Sequence, residues 1–130
     1  MIMEKEKIDI DLRGFKVSQS TVFTGRPQGE DVRKVIDLNK YDKEEDTEVH
    51  IHIPEGTTSF NPSFFLGLLY DSIKSLGLDN FNTRYKIILD DTNEEIKKLL
   101  QRNISDGLKY AENALNQRTG ISVFLKNLRT

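Results

Sequence analysis

Val49-His50-Ile51-His52-Ile53-Pro54-Glu55-Gly56-Thr57-Thr58-Ser59-Phe60-Asn61-Pro62-Ser63-Phe64-Phe65 decides the fold of this chain. Val49, Ile51 and Ile53 alternate with polar residues at the period of a half-buried strand. Pro54 halts that strand because proline has no N–H to give to a sheet ladder. Asn61 is a favoured helix cap and Pro62 a favoured first helical residue. From there Phe65, Leu68, Leu69, Ile73 and Leu76 form an apolar stripe at helical spacing, ended by Gly77. A strand that passes through a turn into a helix is the repeating step of an open α/β sheet. The carboxyl edge of such a sheet is where polar groups are presented, and a helix start favours negative charge. Four hydroxyls, Thr57, Thr58, Ser59 and Ser63, lie at this junction.

Toward the carboxyl end, Tyr85-Lys86-Ile87-Ile88-Leu89 reads as a short strand, and Asp90-Asp91-Thr92-Asn93 as a turn and helix cap. Ile96, Leu99, Leu100, Ile104, Leu108, Ala111 and Leu115 then keep to one helical face, with Gly107 its weak position. After Gly120, the alternation of Ile121, Val123 and Leu125 predicts a final strand or a partner-binding tail. Toward the amino end, Ile8, Ile10 and Leu12 alternate as a strand that Arg13-Gly14 should end. A second extended stretch, from Phe15 to Phe23 with a turn-like Ser18-Gln19-Ser20-Thr21 inside it, is expected to form a hairpin with the first. Thr24-Gly25-Arg26-Pro27-Gln28-Gly29 reads as a loop, about Glu30 to Leu38 as a short helix, and Asn39 to Asp46 as a charged surface loop. The expected fold class is α/β: one domain over residues 1–130, with a small mixed β-sheet (the N-terminal hairpin plus parallel strands) packed against helices.

The 130 residues are enough for one core, and 36% hydrophobic with 31% charged residues at net charge -2 fits a solvated globule. No excess of Lys and Arg is present to meet a nucleic-acid backbone, so nucleic acid is not an expected partner. Cysteine is absent, which excludes disulfides, thiolate zinc sites and a cysteine nucleophile. Met1 to Lys7 is charged where a secretory signal would be apolar, and no apolar run approaches a membrane span. A cytoplasmic location without membrane association is therefore expected.

Thr24-Gly25-Arg26 followed by Gly29 and Arg33, the strand Val49 to Ile53, and Ser63-Phe64 opening a helix after a hydroxyl-rich turn resemble the STAS-like domain family of unknown function. That family is a relative of the domains named for sulfate transporters and anti-sigma factor antagonists. The resemblance spans roughly residues 8 to 110 and leaves 117–130 as a C-terminal extension. It implies a non-enzymatic, bacterial-type signalling module that regulates a protein partner, plausibly a histidine-kinase-type ATPase. In anti-sigma antagonists a Ser or Thr at the strand-to-helix turn is phosphorylated by such a partner, and the phosphate breaks the complex. Matched residue by residue, this points to phosphorylation at Ser59 or Ser63 and to partner binding by Thr57, Thr58, Ser59, Phe60, Asn61 and Ser63. The chain departs from the antagonist pattern of Asp followed by Ser-Ser-Gly, having Asn61-Pro62-Ser63-Phe64 there.

Other constellations are weaker. His50 and His52 share a strand face, the spacing that supplies two imidazoles to a metal, but there is no third His and no Cys, so a packed or half-exposed pair is the expectation and no metal is assigned. Arg26 and Arg33 flank a glycine-containing loop that could hold an anion, although it lacks the spacing and lysine of a phosphate loop. Asp90 and Asp91 follow a strand as an acid/base pair would, yet capping explains them. No catalytic residue and no cofactor are expected. The competing reading is a small anion- or nucleotide-sensing domain, or an enzyme, using the same turn.

Overall fold

The computed structural model describes residues 6–15 and 21–128, with side chains described as far as residue 117. In chain order the elements are β1 (Glu6–Asp11), a 3-10 turn (Leu12–Phe15), β2 (Val22–Phe23), α1 (Arg26–Ile36), α2 (Leu38–Lys43) and β3 (Thr47–Ile53). Then come β4 (Ser59–Phe60), α3 (Pro62–Leu76), α4 (Leu78–Arg84), β5 (Tyr85–Leu89) and α5 (Glu94–Leu128). Among the described residues no helix is long and apolar enough to cross a membrane.

β3 is the centre of the sheet, as its alternation requires. Thr47, Val49, Ile51 and Ile53 are buried on one face, while Glu48, His50 and His52 are part-exposed on the other. The strand order is β1-β3-β5, and both pairings are parallel. Ile8, Ile10, Ile87 and Leu89 stand beside the buried residues of β3, so one apolar face is shared by all three strands. Helices pack on that face. The opposite face carries Lys7, Asp9, Asp11, Glu48, His50, His52, Lys86 and Ile88, all at least part-exposed. Parallel sheets are usually covered by apolar packing on both sides; here, among the described residues, the second face is polar and its side chains are part-exposed or exposed.

Among the described residues no N-terminal hairpin is present. β1 pairs with β3, and β2 leaves the sheet to pair, again in parallel, with β4 in a separate two-stranded ladder. Central β3 offers Ile8 and Ile10 a buried neighbour row that the turn-like polar segment after Phe15 cannot. Residues 16–20 of the expected second strand lie outside the described residues.

Helix boundaries differ from expectation where loop-forming residues turn out to be helix-starting ones. α1 begins at Arg26 because Gly25, at φ 90°, turns the chain and Pro27 sits in the first turn, where its missing N–H costs nothing. The charged segment after Leu38 is helical, not a loop: Leu38 is fully buried and anchors α2, and Asp37, at φ 62°, makes the bend from α1. Gly77 ends α3 as expected, but α4 follows at once. The backbone of α5 continues as helix through Gly120 to Leu128, where a strand or tail was expected. One glycine costs a growing helix only about 1 kcal/mol, too little to stop propagation.

α3 is the pillar of the helical layer. It buries Phe65, Leu68, Leu69 and Ile73 of the stripe read from the sequence, together with Phe64, while Leu76 at the end of that stripe is part-exposed. α1 crosses α3 at backbone contact. A methyl group on Gly67 would lie 2.1 Å from the Arg26 carbonyl oxygen, and one on Gly29 would lie 2.3 Å from that of Phe64. α5 meets α3 at Gly107, where a methyl would lie 2.5 Å from the Phe65 ring. The weak position of the α5 stripe is thus a packing requirement.

At the amino edge of the sheet the core holds charge. Arg33 and Asp42, each 7% exposed in the side chain, form an ion pair at 3.0 Å. The Arg33 guanidinium also donates to the Leu68 carbonyl at 2.9 Å, to Ser72 Oγ at 2.8 Å and to Asn39 Oδ1 at 2.7 Å. Asp42 accepts in addition from Ser72 Oγ and from the Tyr85 hydroxyl. Burial, then the bond to Asp42, pushes the Tyr85 hydroxyl well above its ordinary pKa. Arg84 donates to the carbonyls of Tyr41, Asp42, Glu44 and Thr47, tying α2 to the start of β3.

Gly67→Ala, which in an exposed helix would stabilise, is expected here to destabilise by about 1–3 kcal/mol through overpacking in urea unfolding; a stabilised variant would refute the contact. Asp42→Ala, which leaves Arg33 buried without its counter-charge, is expected to cost about 3–5 kcal/mol in the same measurement. A loss below about 1 kcal/mol would show that the pair is solvated.

Candidate functional site

The turn between β3 and α3 is built from both sides. Gly56, at φ 88°, reverses the chain after Pro54, and its N–H donates to Asp91 Oδ2 at 3.1 Å. Thr58 N–H donates to the Thr21 carbonyl at 2.6 Å, and Thr58 Oγ1 to Thr21 Oγ1 at 2.9 Å. Asn61 N–H reaches the Phe23 carbonyl at 2.9 Å, and Phe60 N–H reaches Asn103 Oδ1 on α5 at 2.9 Å. Below it, Phe60 packs against Phe23, Phe64 and Phe65 with ring centroids 5.2–6.4 Å apart. Nearly every backbone donor of the turn is therefore engaged, which is the condition for a fixed presentation of its side chains.

The six residues expected to meet a partner do not share one surface. Ser63 and Thr58 are exposed, and Ser59 and Asn61 are part-exposed. Phe60 and Thr57 are 0% exposed and offer a partner nothing, a correction to the expectation for both. Phe60 faces inward because it alternates with Ser59 along β4 and completes the aromatic cluster. Thr57 is buried, and its Oγ1 has no hydrogen-bond partner among the described residues. Asn61 caps α3 as predicted, its Oδ1 accepting from Ser63 N–H at 2.8 Å. Ser63 thus has its N–H satisfied and its hydroxyl without a partner among the described residues.

Arg26 and Arg33, the expected anion pair, are not brought together at an open site. Arg26 pairs with Glu30 at 3.6 Å and lies over the Tyr70 ring at 5.5 Å. Arg33 points into the core network described above.

The histidines lie on the open sheet face, each held by carboxylate. His50 Nε2 contacts Glu48 Oε1 at 2.8 Å. His52 spans the sheet, with Nε2 against Asp9 Oδ1 of β1 at 2.9 Å and Nδ1 against Asp90 Oδ1 beyond β5 at 3.3 Å. An imidazole can donate from both nitrogens only when protonated. The bond to Asp9, with that to Asp90 behind it, raises the His52 pKa above its ordinary value of 6.5. The same bond lowers the Asp9 pKa. Asp91 is lowered by the N–H groups of Asn93 and Gly56. Asp91 and Asn93 are the turn and cap expected: Asn93 Oδ1 accepts from Glu95 and Ile96 N–H at the start of α5. Among the described residues no cluster of three or more His, Cys, Asp or Glu could hold a metal ion.

Thr21 and Asn103, which hold the turn, were not singled out in the sequence. Asn103 carried a signal, since its spacing from Leu100 and Gly107 puts a polar residue on the buried side of α5. Thr21 carried none. Set against protein-family models, curated proteins and solved structures, the chain matches none.

A group whose pKa is raised by folding contributes stability below its unfolded pKa and loses it as pH rises through the folded value. The melting temperature is therefore expected to fall as pH rises from about 6 through the elevated His52 value, and His52→Gln should flatten that decline. An unchanged slope in the variant would remove His52 from the pH response.

Proposed function

We propose that this chain is a non-enzymatic regulatory module of the cytoplasm that binds a protein partner through its strand-to-helix turn. In this reading it works like the STAS-like domains and anti-sigma factor antagonists that its sequence resembles. The partner is a histidine-kinase-type ATPase, and Ser63 is the residue it phosphorylates. One observation carries the choice of residue. Ser63 combines an exposed hydroxyl, without a partner among the described residues, with a place in the first turn of the 15-residue α3, on a turn otherwise held by hydrogen bonds. A phosphate there adds about two negative charges beside a helix start without displacing a structural contact. It changes the surface a partner meets and leaves the fold intact. Ser59 has less support, being part-exposed on β4, where Phe60 beside it is buried.

The non-enzymatic reading is supported by the histidines. Both are engaged by carboxylates on the open sheet face, and neither bonds Ser59 or Ser63, so no base stands ready to activate a hydroxyl. Anion sensing at Arg26 and Arg33 has less support, because the Arg33 donors are spent inside the core.

Phosphopeptide mass spectrometry of the chain isolated from its own cells is expected to find phosphate on Ser63. Ser63→Asp is expected to weaken capture of the ATPase on the order of tenfold relative to Ser63→Ala. Unmodified Ser63 together with equal capture by both variants would end the switch.

A further inference from the structure

The open sheet face and the strand-to-helix turn are joined by the short segment that follows β5. Asp90 N–H donates to the Ile53 carbonyl at 3.0 Å, and Asp90 Oδ1 lies 3.3 Å from His52 Nδ1. Its neighbour Asp91 reaches in the other direction. Asp91 Oδ2 accepts from Gly56 N–H at 3.1 Å, while Oδ1 accepts from Asn93 N–H at 2.9 Å, at the start of α5. Two adjacent aspartates thus grip both ends of residues 52–56, the stretch in which β3 ends and the chain reverses. Inside that reversal the Thr57 N–H is bonded back to the Pro54 carbonyl at 3.3 Å. The Gly56–Asp91 bond carries the tie from its apex, where Gly56 stands at φ 88°, to the cap of α5.

What His52 gives to this segment depends on its protons. The imidazolium donates from both nitrogens, to Asp9 of β1 and to Asp90, whereas the neutral ring has one N–H to give. The Asp9 contact is the shorter, 2.9 Å against 3.3 Å, so the remaining proton stays on Nε2. Nδ1 then turns a lone pair toward the Asp90 carboxylate, and a bond becomes a repulsion between acceptors. Asp90 is exposed, so its carboxylate turns to water instead, and Asp91 is attached to it through one peptide. The surroundings bring this change near neutral pH. Around His52 on the open face stand Lys7, Asp9 and Asp11 of β1, Glu48 and His50 of β3, Lys86 of β5, and Asp90. Carboxylates outnumber ammonium groups there, which favours the protonated ring. The bond to Asp9, and then that to Asp90, hold the His52 pKa above its ordinary value against the burial that lowers it. Asp91 does not share the titration, because the N–H groups of Asn93 and Gly56 keep its pKa below the usual carboxylate range.

We propose that His52 is a proton-operated clasp on the start of the strand-to-helix turn. With both ring nitrogens donating, it fastens the Asp90-Asp91 segment against β3 and Gly56, and loss of one proton loosens that fastening. The clasp regulates the surface that carries Ser63, and this bearing on a partner rests on the regulatory reading of the turn. The clasp itself does not.

Solvent-exchange NMR of the full chain reads the Gly56 amide and the His52 ring in one titration, from about pH 6 to about pH 9. Dividing each amide rate by that of an open chain at the same pH removes the ordinary acceleration by base. As His52 loses its proton, protection of the Gly56 N–H is expected to fall about two- to fivefold, with the midpoint of the ring itself. His52→Gln has no proton to lose in this range and is expected to give a flat Gly56 profile. Asp90→Asn keeps the size of the side chain and supplies an amide N–H that neutral Nδ1 accepts, so Gly56 is expected to stay protected while the ring still titrates. Gly56 protection that is constant through the His52 titration of the wild-type chain overturns the clasp. A fall that persists in His52→Gln, or that is as large in Asp90→Asn as in wild type, overturns it as well. No partner enters this measurement, so it separates from the phosphorylation reading: a chain with unmodified Ser63 can show the clasp, and a chain phosphorylated there can lack it.

Discussion

The backbones of α1 and α3 touch, and most of this structure follows from that contact. Glycine at 29 and 67 lets the two helices approach until an added methyl on either would strike the other's carbonyl oxygen. Such an approach fixes their relative position more narrowly than side-chain packing, which has alternative rotamers to draw on. Because α3 starts at the turn and α1 starts just after β2, fixing the helices also fixes their first residues. The short β2–β4 ladder and the Thr21–Thr58 bonds become a consequence of that geometry. The site is held from behind.

Charge is distributed unevenly around the same frame. The amino edge of the sheet buries Arg33, Asp42, Ser72 and Tyr85 in one bonded network, and a buried pair of this kind specifies position at a high cost of breaking. The open face holds its charges in part-exposed pairs, with His52 between Asp9 and Asp90, whose bonds raise its pKa against the burial that lowers it. The structure is therefore stiff at one edge and pH-responsive on one face. The turn bearing Ser63 lies at the other edge, after the carboxyl end of β3.

What could be read in the sequence was whatever depended on local periodicity or end signals. β3, α3 with Asn61 and Gly77 at its ends, β5, and α5 with its cap at Asn93 were all visible in this way. Partnership between strands was not. The hairpin expectation rested on adjacency in sequence, whereas β1 found its neighbour in β3, where Ile8 and Ile10 could extend an apolar face. α2 was hidden because its lysines, Lys40 and Lys43, face solvent, while Leu38 and Asp42, whose side chains dock it, look ordinary in a row of letters. Likewise Arg33 reads as an anion ligand until its partners, 6 to 39 residues away, are known. Exposure at the turn was legible only in part: Ser63 as a helix-start residue lies outside, but Phe60 is turned inward by a two-residue strand too short to leave a pattern, and Thr57 is buried in the irregular stretch before it.

The central claim is that the strand-to-helix turn is a preformed platform, held before any partner arrives. Amide hydrogen exchange on the isolated chain tests it most directly, residue by residue. Thr58, Phe60 and Asn61 are expected to exchange as slowly as the amides of β3, because each donates to an acceptor held elsewhere in the fold. Exchange of these three at the rate of an open chain, with β3 still protected, would show a turn that takes shape only on binding and would contradict the account.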